Sequence, residues 1–128
     1  MTILAVGLNH KTAPLEIRER VSFGPDILVA ALRSLMESPG VAECAILSTC
    51  NRTEIYCVID GPRAPSADEW LGGFHGLEAD RISPYLYTHI DREAVAHLLR
   101  VACGLDSMVL GEPQILGQVK TAFQSACD

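Results

Sequence analysis

The stretch AILSTCNRTEIY, Ala45 to Tyr56, holds two strand-like runs with a polar break between them. The apolar Ala45, Ile46 and Leu47 close a strand-like run over residues 41–47, and Glu54 opens another over 54–59. Between them stand Ser48, Thr49, Cys50, Asn51, Arg52 and Thr53. A plain turn draws on Gly, Pro, Asn or Asp. A cysteine beside an arginine meets no turn requirement, so the break has to be explained by chemistry as well as by shape.

The chain has 128 residues, about one domain. It is long enough to bury roughly two-thirds of the surface its unfolded form exposes. No apolar run reaches the ~20 residues of a membrane span. The start, MTILAVGLNHKTAP, lacks a basic segment followed by a long apolar one, so no signal peptide is expected and the location is expected to be cytoplasmic. Five cysteines (44, 50, 57, 103 and 127) without a Cys-x-x-Cys pair read as free thiols in a reducing compartment. Net charge is −6, with five basic and five acidic residues in 1–52 against five and eleven in 53–128. An acidic domain is a poor general binder of phosphate backbones. Arg18, Arg20 and Arg52 are the cations available for a local patch.

Working outward, residues 2–8 read as a buried strand that NHKTAP breaks. Pro14 opens a short helix through PLEIRERV. Pro25 opens a longer one, with Leu28, Ala31, Leu32 and Leu35 at helical spacing. Ser66 and Glu69 fit a capping box for a helix through Trp70, which GGFHG stops. YLYTHI, 85–90, is a fourth strand. Asp91 caps a helix with the apolar stripe Val95, Leu98, Leu99 and Ala102, ended by Gly104. A last helix opens at Pro113. The pattern predicts an α+β fold, a four-stranded, mainly antiparallel sheet with helices on one face.

Cys44 and Cys57 lie within strands and read as small buried hydrophobes. Cys50 has Thr49, Asn51 and Arg52 beside it, the kind of surroundings that favour a thiolate. Core filler and nucleophile both remain open for it. His97 reads either as a partly buried histidine satisfied by a backbone carbonyl or as a group at a cleft margin. His10, in the loop after the first strand, is a second candidate base. In GEPQILGQ, 111–118, Glu112, Gln114 and Gln118 form either a polar helix start or an amino-acid pocket. No histidine pair has metal-ligand spacing. No dinucleotide or phosphate-binding glycine motif is present.

Three segments together, VGLNHKTAPLEIRERVSF, LSTCNRTEIY and GLDSMVLGEPQILGQVKTAF, closely resemble the signatures of the glutamyl-tRNA reductases. The resemblance runs from Met1 to about Phe123. It implies a ferredoxin-like α/β plait. It implies a catalytic domain over residues 1–111 and the start of a long spine helix over 112–128, with NADPH-binding and dimerisation domains outside this chain. Cys50 matches the family nucleophile, which attacks glutamyl-tRNA(Glu) and holds glutamate as a thioester. Hydride from NADPH would then give glutamate-1-semialdehyde for 5-aminolevulinate and tetrapyrrole synthesis. His97 matches a histidine the family is thought to need. Substrate positions carry over to Thr49, Asn51, Arg52, Ser107, Glu112, Pro113, Gln114 and Gln118, with Arg52 the natural partner for a carboxylate. Implied partners are glutamyl-tRNA, a second copy in the full-length enzyme and the downstream aminomutase, with no membrane. A regulatory or haem-responsive interaction module of the same enzyme is the alternative, with haem as regulator, because cysteine and histidine can ligate haem.

Overall fold

The computed structural model describes residues 1–61 and 66–104. The strands are β1 (Thr2–Asn9), β2 (Val41–Ser48), β3 (Arg52–Ile59) and β4 (Tyr87–Ile90). The helices are α1 (Leu15–Arg20), α2 (Pro25–Met36), α3 (Ala67–Phe74) and α4 (Arg92–Ala102). Two short 3₁₀ turns, Ala79–Arg81 and Ser83–Tyr85, lead into β4. The expected helix from Pro113 and the 112–128 spine segment lie outside the described residues.

The sheet has the order β2-β3-β1-β4, and every neighbouring pair is antiparallel. With helices between β1 and β2 and between β3 and β4, this is the α/β plait expected. The long central pairing of β1 with β3 runs from Thr2↔Ile59 to Asn9↔Arg52. Strand side chains alternate between faces, and the two faces differ in kind. Leu4, Leu8, Ile46, Ile55, Cys57 and Ile59 face a core closed by Ala31, Leu32 and Leu35 of α2 and Leu71 of α3. Phe23 lies against Trp70 and Phe74 at the margin, with ring centroids 5.9 and 5.4 Å away. The other face carries Glu54, Tyr56 and Tyr87, and α4 lies over it. His97 bonds Glu54 there, and Val101 packs with Leu47 and Tyr56.

The helices inside the two split crossovers therefore share one face, as expected, but α4 covers the opposite one. Its inward residues are Ala94, His97 and Val101. Val95 and Leu99, from the expected apolar stripe, are 44% and 59% exposed. The reason is the floor beneath the helix, which is partly polar and draws a histidine inward.

Other helix ends depart from their sequence signals. Ser66 precedes α3 but its hydroxyl bonds the Asp68 carboxylate, and no capping box forms. The helix passes through Gly72 and Gly73 to Phe74. Gly72 is required at that point, because a Cβ there would stand 2.7 Å from the Leu77 carbonyl oxygen. Asp91 precedes α4 at φ 52°, a strained value for a residue other than glycine. Its side chain does not cap the helix. The Ile3 amide donates to Asp91 Oδ1 at 2.9 Å, and the Asp91 amide donates to the Ile3 carbonyl at 2.7 Å. That double tie fixes the point where the chain leaves β4 for α4.

Gly7 is the tightest position in the sheet. A Cβ there would stand 2.4 Å from the Thr53 carbonyl oxygen and 2.8 Å from Glu54 Cγ. Gly7→Ala is expected to lower stability by about 2–3 kcal/mol through overpacking, read as a drop in the urea midpoint with an unchanged slope.

Candidate active site at the hairpin and beneath helix α4

The turn between β2 and β3 is built by Thr49. Its amide donates to the Arg52 carbonyl at 2.8 Å. Its hydroxyl accepts from the amides of Asn51 (3.1 Å) and Arg52 (3.2 Å). Tight hairpins commonly need residues with positive φ. Neither Cys50 nor Asn51 has one, because the Thr49 hydroxyl takes over turn closure. This frees the tip for residues chosen on other grounds, and Cys50 is exposed there.

The strand register lays Arg52, Glu54 and Tyr56 along one face of β3. Arg52 and Glu54 are each 1% exposed. The Tyr56 hydroxyl donates to Glu54 Oε1 at 2.7 Å. The Tyr87 hydroxyl donates to Oε2 at 2.6 Å. His97 Nε2 bonds Oε2 as well, and Arg52 Nη1 lies 3.6 Å from the same oxygen. Asn9 Nδ2 reaches the Tyr87 hydroxyl at 3.5 Å. The His89 ring stacks on His97, with centroids 4.4 Å apart.

Burial would push the Glu54 carboxyl up. The hydrogen bond and charge of His97, the Tyr87 hydroxyl and the Arg52 charge together outweigh it and hold Glu54 below its ordinary value. Burial, then the Glu54 charge and hydrogen bond, push the Tyr56 phenol up. Burial lowers His89, helped by the charges of His97 and Arg100 and opposed by those of Glu93 and Glu54. The structural cysteines also separate from Cys50. Cys44 and Cys57 face one another across β2 and β3. Burial raises the Cys44 thiol, and burial with the neighbouring Cys44 pushes Cys57 up to about 12.

Thr49, Cys50, Asn51 and Arg52 thus form one turn, and Glu54 joins Arg52 to His97. His97 is satisfied by a carboxylate, where the sequence alone suggested a backbone carbonyl. Arg52 is buried and paired inside the domain, so it is not a surface cation for a nucleic acid. Arg18 is half-buried, and Arg20 is exposed. Ser107, Glu112, Pro113, Gln114 and Gln118 lie outside the described residues. The sequence did not single out Glu54, Tyr87, Tyr56 or Asn9. The available signal was the alternation of Arg52, Glu54 and Tyr56 along one strand face. No helix among the described residues is long and apolar enough to cross a membrane.

The site thus joins an exposed thiol on a fixed turn to a buried Arg–Glu–His array. The family model of the glutamyl-tRNA(Glu) reductase N-terminal domain matches residues 6–128. The chain is 56% identical over its full length to a glutamyl-tRNA reductase of Chromohalobacter salexigens, and covers 30% of that protein. It is 54% identical to the Methylococcus capsulatus glutamyl-tRNA reductase over 98% of its length, again covering 30% of the relative. The solved structure of glutamyl-tRNA reductase from Methanopyrus kandleri superposes with a TM-score of 0.72 at 36% identity, covering 98% of this chain and 28% of that one. This chain belongs to the glutamyl-tRNA reductase family and corresponds to its N-terminal domain. It spans about 30% of the length of the curated relatives it matches.

Because Glu54 titrates below its unfolded value near ~4.3, its stabilising contribution is complete above that pH. It is lost as pH falls through the lower folded value. Glu54→Gln removes the charge that pairs with Arg52 and His97, and is expected to cost about 3 kcal/mol at neutral pH. The variant should also lose less stability than wild type below about pH 4. Urea unfolding followed from pH 7 to pH 3 checks both the size and the slope.

Proposed function

We propose that this domain carries out the acyl-transfer half of glutamyl-tRNA reduction, with Cys50 as nucleophile. The observation that carries it is the exposed Cys50 thiol on a turn fixed by Thr49, two residues from the buried Arg52–Glu54–His97 array. The relatives' shared name supplies the substrate class, glutamyl-tRNA(Glu).

In this mechanism the Cys50 sulfur attacks the ester carbonyl carbon. The carbonyl π pair moves to oxygen and then returns, expelling the terminal ribose oxygen of the tRNA. A carbon–sulfur bond forms, the sulfur–hydrogen and carbon–oxygen bonds break, and the proton given up by the thiol ends on the leaving oxygen. We assign His97 as the group that carries this proton. Glu54 engages Nε2 and fixes the plane of the ring. A thiolate suits this step because it is a strong nucleophile and yields a reactive acyl group. Thr49, Asn51 and Arg52 shape the glutamate pocket, with Ser107, Glu112, Pro113, Gln114 and Gln118 as its further members. Arg52 acts from a buried position, with its charge partly met by Glu54.

The described residues do not fit a dinucleotide. Their paired glycines, Gly72 and Gly73, sit inside α3 and do not form a strand-to-helix phosphate turn. NADPH, as the hydride source for glutamate-1-semialdehyde, and dimerisation are assigned to two further domains of the full-length enzyme. Residues 1–111 are proposed as the catalytic unit and 112–128 as the start of the spine helix.

Incubation with glutamyl-tRNA, followed by intact mass and peptide mapping of the five cysteines, tests the assignment. One glutamyl adduct on Cys50 is expected. It should be absent in Cys50→Ser and retained in Cys44→Ser. An adduct that survives in Cys50→Ser would overturn the assignment. His97→Asn is expected to slow adduct formation by about 10²-fold or more.

A further inference from the structure

α1 is a six-residue helix with no fully buried residue, yet it reaches the turn that carries Cys50. Arg18 Nη1 donates to the Cys50 carbonyl at 3.1 Å and approaches Asn51 Oδ1 at 3.5 Å. A second tie runs beside it, where the Phe23 amide donates to the Ser48 hydroxyl at 2.8 Å. The segment from Arg18 to Phe23 is therefore stitched to both the last residue of β2 and the hairpin tip. Arg18 Nε is buried without a hydrogen-bond partner, so the guanidinium is held by these contacts and not by an acidic neighbour among the described residues.

We propose that Arg18 is a positioning residue for Cys50. Thr49 fixes the turn from the inside through the amides of Asn51 and Arg52, and Arg18 fixes it from the outside through the Cys50 carbonyl. Between them they set the Cα–Cβ direction of Cys50, and so the line along which its sulfur meets an acyl carbon. An exposed tip without the outer tie keeps its fold but samples other directions. Misplacement of a reacting group by about 1 Å can cost 10²-fold in rate. Both contacts come from Nη1 alone, a single donor point that a lysine ammonium can reproduce in part at similar reach.

The inference rests on Cys50 being the nucleophile, and the test separates the two. Arg18→Gln and Arg18→Lys are compared with wild type for single-turnover acylation by glutamyl-tRNA and for amide hydrogen exchange at Asn51 and Arg52, with thermal unfolding as the check on folding. Arg18→Gln is expected to lower the acylation rate by about 10²-fold, with the tRNA concentration at half-maximal rate changed less than about twofold. Exchange at the two amides should rise by about tenfold or more. Arg18→Lys should recover part of both. A purely structural stitch would lower the melting temperature without separating rate from binding, and that result would overturn the proposal. Acylation by Arg18→Gln at the wild-type rate, or unchanged exchange, would overturn it too. Absence of a wild-type adduct both in this chain and in the full-length enzyme would refute the nucleophile assignment. Exchange would then decide alone whether Arg18 holds the turn. If Arg18→Gln does not fold, Arg18→Lys carries the comparison, with wild-type rate and exchange counting against the proposal.

Discussion

The Glu54 carboxylate is the contact around which this domain is arranged. It is a charge on the central part of the sheet, under a helix, and a buried carboxylate is tolerated only when its lone pairs are met. Tyr56, Tyr87, His97 and Arg52 meet them from two strands and a helix. Each of those side chains is oriented by the bond it gives. The small residues Ala5 and Gly7 of β1 lie beneath, and Gly7 leaves space that Glu54 fills. The two faces of the sheet follow different rules as a result. One is an ordinary apolar core under α2 and α3. The other is a polar network whose geometry is specified by hydrogen bonds, with α4 as its lid.

That division explains which parts of the structure were legible in the sequence. The strands were legible because their apolar runs are bounded by breakers. α2 was legible because its partner surface is apolar, so helical spacing of leucines marks the buried side. The same logic misassigned α4. Val95 and Leu99 look like core, but the surface below that helix offers a carboxylate and a tyrosine hydroxyl, so His97 turns inward in their place. Glu54 itself was silent. A lone carboxylate in a strand acquires meaning only when β1 and β4 bring Tyr87 and α4 beside it, and those are long-range pairings that local pattern does not encode. The Cys50 turn was legible because its residue types disagree with its shape.

The cysteines show how one side chain takes opposite roles by placement. Cys44 and Cys57 lie on the apolar face, opposite one another, with their thiols held protonated by burial. Cys50 stands six residues beyond Cys44 and seven before Cys57 in the chain, exposed at the tip that joins their strands. The hairpin therefore carries both packing thiols and an exposed one. Only the turn separates the two environments.

The length of the Thr49 turn also governs the faces of β3. Side chains on β3 alternate between core and polar network with a period of two, so residue count in the turn sets which face each one takes. One residue gained or lost between Thr49 and Arg52 would invert the strand. Ile55 and Cys57 would be sent beneath α4, and Glu54 would be driven into the apolar core. The length of the hairpin is thus held by the whole sheet, while the shape of its tip is held by the single Thr49 hydroxyl.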